Sequence, residues 1–194
     1  MFTKADTAGN MNIDVAFQKN FAFHPANITA PVGTLVTFWF PNFGTNHSVT
    51  QSTFANPCTP LAANATANAP AGFDSGLLSL STFTINVTDT NPIWYFCKQV
   101  THCGGQGMVG SINAPATGNT FDNYKAAALA IGANEVTVPD NGPVISGVHA
   151  TATGPPVPDL PTASTSTPST GGAIKVSTGF GFTLFAAVLG VAMA

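Results

Sequence analysis

The sequence predicts an all-β sandwich or barrel with one short helix near its C-terminal end and a disordered tail, and three observations predict it. Between residues 12 and 113, short β-branched and aromatic stretches recur, separated by Gly, Pro, Asn and Asp turns. Charged residues make up only 7% of the 194-residue chain against 44% hydrophobic. Thr, Ser, Asn, Gly and Pro are left to form the surface, a mix that suits a secreted β-protein better than a cytosolic enzyme. Beyond about Pro143 the chain turns to Pro, Thr, Ser, Ala and Gly, which cannot bury a core.

The elements follow in order. Residues 12–17 alternate and form the first strand, and residues 21–25 and 27–30 lead into a turn at 31–33. Residues 34–40 are β-branched and aromatic, hence a strand that Pro41 closes. The segment 42–51 carries His47 and ends in a short strand at Val49 and Thr50, and residues 52–76 are an irregular excursion carrying Cys58. Residues 81–88 alternate strictly, as a half-buried strand does, and 89–92 form a turn. The stretch 92–113 then begins as an apolar strand ending at Cys97, opens into a Gly-rich loop with His102 and Cys103, and resumes as a strand at Met108. A helix over 121–131 is capped by Asn119 or Thr120, stopped at Gly132, and expected to lay Phe121, Tyr124 and Leu129 on the sandwich. Trp39 and Trp94 are expected in the core.

Several function classes are excluded at this level. The net charge is -3 and the five Lys and Arg are scattered singly, so no nucleic-acid partner is expected. No nucleophile motif, phosphate loop or paired acids appear, and four His are too few for the trinuclear centre of a multicopper oxidase. An enzyme is therefore not expected. His24 and His149 read as solvated side chains, and Asp74 as a turn residue with no visible partner.

Sequons at Asn27, Asn64 and Asn86 support a secretory route with glycosylation there, whereas the one at Asn46 adjoins His47 and is expected to stay unused. Residues 1–20 contain no apolar run of signal-peptide length, so the leader is expected to be missing from this chain. Small residues at 169–173, a polar spacer and the apolar run 180–194 have the layout of a GPI-attachment signal. The alternative, a membrane-spanning tail, needs about 20 apolar residues, more than this run supplies. The resulting organisation is an unstructured N-terminus (1–11), a β-domain (12–116), a helix and connector (117–142), a disordered stalk (143–173) and a GPI-signal-like tail (174–194).

Three cysteines leave an odd one. Cys97 either pairs with Cys58 or Cys103, or stays free if those two bridge each other. A free Cys97 would be separated by four residues from His102, with Met108 beyond, and metal coordination would both deprotonate and protect it. Thiolate, imidazole and thioether are ligands that copper selects, and two His, one Cys and a weak axial Met make the blue-copper set. The second His must come from elsewhere in the chain.

At this point the sequence resembles the cupredoxins, in their phytocyanin-like branch. Residues 44–50 (Gly-Thr-Asn-His-Ser-Val-Thr) look like the segment supplying the first His ligand, and residues 95–108 (Tyr-Phe-Cys-Lys-Gln-Val-Thr-His-Cys-Gly-Gly-Gln-Gly-Met) look like the ligand loop. Together with Gly-Phe-Asp-Ser-Gly at 72–76 and residues 108–114, the pattern is similar to fungal GPI-anchored, serine-rich extracellular cupredoxin-domain proteins. The resemblance implies a Greek-key sandwich holding one type 1 copper ion. It makes His47, Cys97 and His102 the equatorial ligands, Met108 the axial one, and Cys58 with Cys103 a disulfide. Five residues separate His102 from Met108 where phytocyanins place four. Gly104, Gly105 and Gly107 can absorb the extra residue, and Gln106 becomes a rival axial ligand. The implied function is one-electron transfer or copper binding at the cell surface, with an unidentified redox partner and a lipid anchor to the outer leaflet or wall. The alternative is a metal-free adhesive or structural wall module.

Overall fold

The computed structural model describes residues 4–159, and the GPI-signal-like tail with the rest of the stalk lies outside the described residues. Two sheets face each other. The first runs β2 (Phe23–His24), β1 (Asn10–Val15), β4 (Leu35–Phe40), β6 (Ser81–Val87), with β9 (Ala150–Ala152) and β10 (Val157–Pro158) both on the far side of β6. The second runs β3 (Asn27–Ile28), β8 (Val109–Ile112), β7 (Ile93–Phe96), β5 (Thr50–Ser52). β1 pairs with β4, and β3 with β8, in parallel; the other pairs are antiparallel.

Alternation along the strands builds the core. Val36, Phe38 and Phe40 of β4 and Phe83, Ile85 and Val87 of β6 point inward, where they meet Ile93, Tyr95, Cys97, Met108 and Ile112 from the second sheet. Period 2 therefore sends Trp39 outward. Contrary to the sequence expectation it is half-buried on the outer face, donating to Asn12 Oδ1 at 2.8 Å beneath the Lys4 ammonium.

β7 is buried on both faces, which accounts for its unbroken apolar sequence. Ile93 and Tyr95 face the sandwich, while Trp94 and Phe96 pack with α1 (Phe121–Ile131) in a second cluster. Thr120 is the N-cap of this helix, its hydroxyl accepting from Asn123 N, and Gly132 ends it at φ 54°. Tyr124 and Ala128 carry the buried face, whereas Leu129, expected against the sandwich, is 45% exposed because one residue turns it about 100° away. Opposite Tyr95 on β8 stands Gly110, and the Tyr95 ring occupies the space a Cβ there would need.

The expected start of the disordered stalk at residue 143 is corrected. Residues 150–152 and 157–158 pair with β6 and place Ala150 and Ala152 in the core. A segment too poor in apolar residues to build a core can still join one, because strand addition needs only main-chain donors and acceptors and small inward side chains. It also covers the edge that β6 would otherwise leave open. His149, expected to be solvated, lies here 2.8 Å from Asp89 as an ion pair when protonated.

Candidate metal centre

Cys97 is the next inward position after Tyr95, immediately beyond the end of β7, so strand alternation delivers its thiol to the end of the core with 0% exposure. Its amide donates to Met108 O at 3.0 Å and Met108 N donates to His102 O at 2.8 Å. The loop between them is closed by two turns. In the first, His102 N donates to Gln99 O with Thr101 at φ 67°; in the second, Gly107 N donates to Cys103 O. Of the three loop glycines only Gly107 takes a positive φ, 66°. Cys103 is bonded to Cys58, which ties the loop to the 52–76 excursion. Gly104 N donates to Glu135 at 2.6 Å, a further tie to the segment after the helix.

His47 arrives from the other side. Its backbone exchanges two hydrogen bonds with Leu78, and its Nε2 lies 3.2 Å from the Thr45 hydroxyl. With Nε2–H donating to Thr45, the Nδ1 lone pair faces inward. The Nδ1 atoms of His47 and His102 lie 3.9 and 3.5 Å from Cys97 Sγ, and the three donor atoms are all within 4.8 Å of one another. A metal bound in plane by two nitrogens and one sulfur at about 2.0–2.3 Å separates N from S by roughly 3.7 Å, so the spacing fits a single ion. Met108 is 0% exposed in the cluster that contains Cys97, whereas Gln106 is exposed. Ser48 N donates to Cys97 Sγ at 3.4 Å.

Burial and the nearby His102 lower the His47 imidazole to about 4, and burial lowers His102 as well. Burial pushes the Cys97 thiol up to about 11, against hydrogen bonds from the Ser48 and Gln99 amides. The metal-free site is thus neutral, with two imidazoles ready to coordinate and a thiol whose proton a metal would displace. Between pH 6.5 and about 4 the unfolded chain takes up a proton at His47 that the folded site refuses. Stability of the metal-free protein is therefore complete above pH 6.5 and falls toward pH 4, by up to about 3 kcal/mol from this residue. Urea midpoints at neutral pH and about pH 4.5 should show the fall, and His47→Gln should reduce it, leaving the part that His102 contributes in the same direction. Equal pH dependence in the two proteins would contradict this assignment.

Three contributors were not visible in the sequence. The Phe21 ring, 41% exposed, lies 4.5 Å from the His102 ring and 6.4 Å from that of His47, centroid to centroid, and so roofs the imidazoles. Asp74 and Lys98 are joined by an ion pair of 2.8 Å next to the thiol strand. Asp74 is therefore more than the turn residue the sequence suggested. One signal did exist: Lys98 is the sole charge in an apolar stretch and had to find a partner.

A scan against protein-family models gives no match. The chain is 33% identical over 174 residues to the probable GPI-anchored cupredoxin-1 of Arthroderma benhamiae, covering 89% of this chain and 87% of that protein. Solved structures similar to it include dithionite-reduced auracyanin from Roseiflexus castenholzii and a pseudoazurin from Sinorhizobium meliloti. They are 15% and 22% identical, cover 57% and 63% of this chain and 100% and 92% of their own, and each has a TM-score of 0.37.

Proposed function

The chain belongs to the cupredoxin family, and from that premise we propose that it is an extracellular, surface-anchored type 1 copper protein that carries single electrons. The observation that carries the reading is the convergence of two imidazole nitrogens and one buried free thiol within 4.8 Å. His47, Cys97 and His102 would hold the ion. The burial of Met108 and the exposure of Gln106 favour Met108 as the axial ligand. Copper in such a site supplies one-electron redox chemistry. The protein's part is to fix the donors: Thr45 holds the His47 ring, the Ser48 amide holds the Cys97 sulfur, and the two turns hold His102. Rigid donors keep reorganisation small on electron transfer. With His47 1%, Cys97 0%, His102 6% and Met108 0% exposed, the four side chains offer a substrate almost no accessible surface, which favours a carrier over a catalyst.

The metal-free wall module is the weaker reading, because a scaffold has no need to bury a free thiol between two neutral imidazoles. Surface location draws its support from the relative's name, from the GPI-like tail and from the sequons, of which Asn27 and Asn64 are exposed and Asn86 is half-buried. Among the described residues no helix is long and apolar enough to cross a membrane.

Redox cycling tests the proposal. The copper-loaded protein is expected to bleach with one equivalent of a one-electron reductant and to recover its colour with ferricyanide, without sustained oxygen uptake. Steady oxygen consumption with a phenolic substrate would make it an oxidase, and failure to cycle would leave it a copper store.

A further inference from the structure

The side chain of Lys98 is 1% exposed, and a buried ammonium persists only when it is paired. Its Nζ lies 2.8 Å from Asp74 Oδ2 and 2.9 Å from Asp140 Oδ1. The main chain of the same residue begins a chain of hydrogen bonds. Lys98 N donates to Ser48 Oγ at 2.8 Å, Ser48 Oγ lies 2.9 Å from Thr50 Oγ1, and Thr50 Oγ1 donates to Asp74 Oδ1 at 3.1 Å. The donor at one end and the carboxylate at the other fix both hydroxyl directions. Because Asp74 is also bound to the Lys98 ammonium, the bonds close a ring through residues 48, 50, 74 and 98.

The ring joins the residue after His47 to the residue after Cys97, and the Ser48 amide within it points at Cys97 Sγ. Asp74 is further fixed by Gly76 N at 2.9 Å, and the adjacent Ser75 hydroxyl accepts from Val49 N at 2.9 Å. The Gly-Phe-Asp-Ser-Gly segment at 72–76, which supplies no metal donor, thus buttresses the segment that runs from His47 into β5. Asp140 attaches from outside the ring. It binds Lys98 Nζ and, at 3.3 Å, Leu77 N, with a side chain 36% exposed. One ammonium against two carboxylates leaves a net charge of −1 beside the thiol strand.

We propose that Asp74, Thr50 and Lys98 are positioning residues that hold the Ser48 amide on the Cys97 sulfur, and that Asp140 contributes a negative charge weighting the centre toward its oxidised form. The second half rests on the copper reading above; the first does not.

Two sets of measurements separate them. In the metal-free protein the fully buried Cys97 thiol reacts with iodoacetamide only when its surroundings open, so Asp74→Asn, which breaks the charge-assisted bond to Lys98 and loosens the ring, is expected to speed alkylation about tenfold or more, the size of that lost bond in the opening equilibrium. Thr50→Val opens it at another point without stranding a charge and should act in the same direction. Asp140→Asn leaves the ring closed and should leave the rate unchanged. Wild-type alkylation rates in both ring variants would overturn the positioning role. In the copper-loaded protein, Asp140→Asn is expected to lower the ratio of Cu(II) to Cu(I) affinity about twofold, as removal of one solvent-exposed unit charge does. This reads as a raised reduction potential, which Asp140→Glu restores. An unshifted potential with the thiolate-to-copper absorption intact would overturn the charge role alone. A wild-type protein with no such absorption would overturn the copper reading and the charge role together, while the alkylation rates would still decide the ring.

Discussion

Copper(II) added to the Cys97→Ser protein is expected to show none of the intense visible absorption that a copper thiolate gives. Among the described residues Cys97 is the one free cysteine, so no other thiolate can substitute. A serine hydroxyl does not ionise in this setting, and the two imidazoles alone would hold copper with weak ligand-field absorption and lower affinity. The fold should survive. Position 97 is fully buried, but the Ser48 amide at 3.4 Å from the sulfur can donate to a hydroxyl instead, so the stability cost stays near the low end of roughly 1–3 kcal/mol for a buried polar group. Circular dichroism and denaturant midpoints measure that cost, and absorption measures the loss of the chromophore. An intense band persisting in the mutant would place the thiolate elsewhere and dismantle the proposed ligand set.

The largest loss of stability is expected from removing the Cys58–Cys103 bridge. It closes a loop of 45 residues between the excursion and the His102 loop, and constraining such a loop in the unfolded chain stabilises the fold by about 4 kcal/mol. The double substitution Cys58→Ser, Cys103→Ser should lower the free energy of unfolding by about that amount. Both positions lie in the small cluster of Trp94, Phe96 and Tyr124, so two hydroxyls there add to the cost. Copper affinity should fall as well, since the bridge anchors Cys103, the residue next to His102. Unchanged denaturant midpoints would show that the packing of α1 on the second sheet already fixes the loop.

Side-chain periodicity and interactions close in sequence made much of the architecture legible. β-branched and aromatic composition marked β4, strict alternation marked β6, the unbroken apolar run marked β7, and a cap at Asn119 or Thr120 with the Gly132 stop marked α1. The strands at 150–158 escaped because strand addition to the β6 edge is a main-chain event that leaves no apolar pattern. Leu129 was misplaced because hydrophobicity rather than the 124 and 128 spacing guided the choice of buried face. At the centre, the order of His47, Cys97, His102 and Met108 stood out by residue type. The supports around them did not: the Asp74 to Lys98 pair spans 24 residues, and the approach of Phe21 to both imidazoles depends on a turn in which Ala16, Gln18 and Lys19 all take positive φ. Local rules do not anticipate three such residues in a row of four.

The most direct test of the account is a titration of the metal-free wild-type protein with Cu(II), followed by visible absorption. The proposed centre predicts an intense thiolate-to-copper band that rises linearly to one equivalent and then stops. Copper taken up with only weak ligand-field absorption, or a band that grows beyond one equivalent, would contradict a single site built from His47, Cys97 and His102.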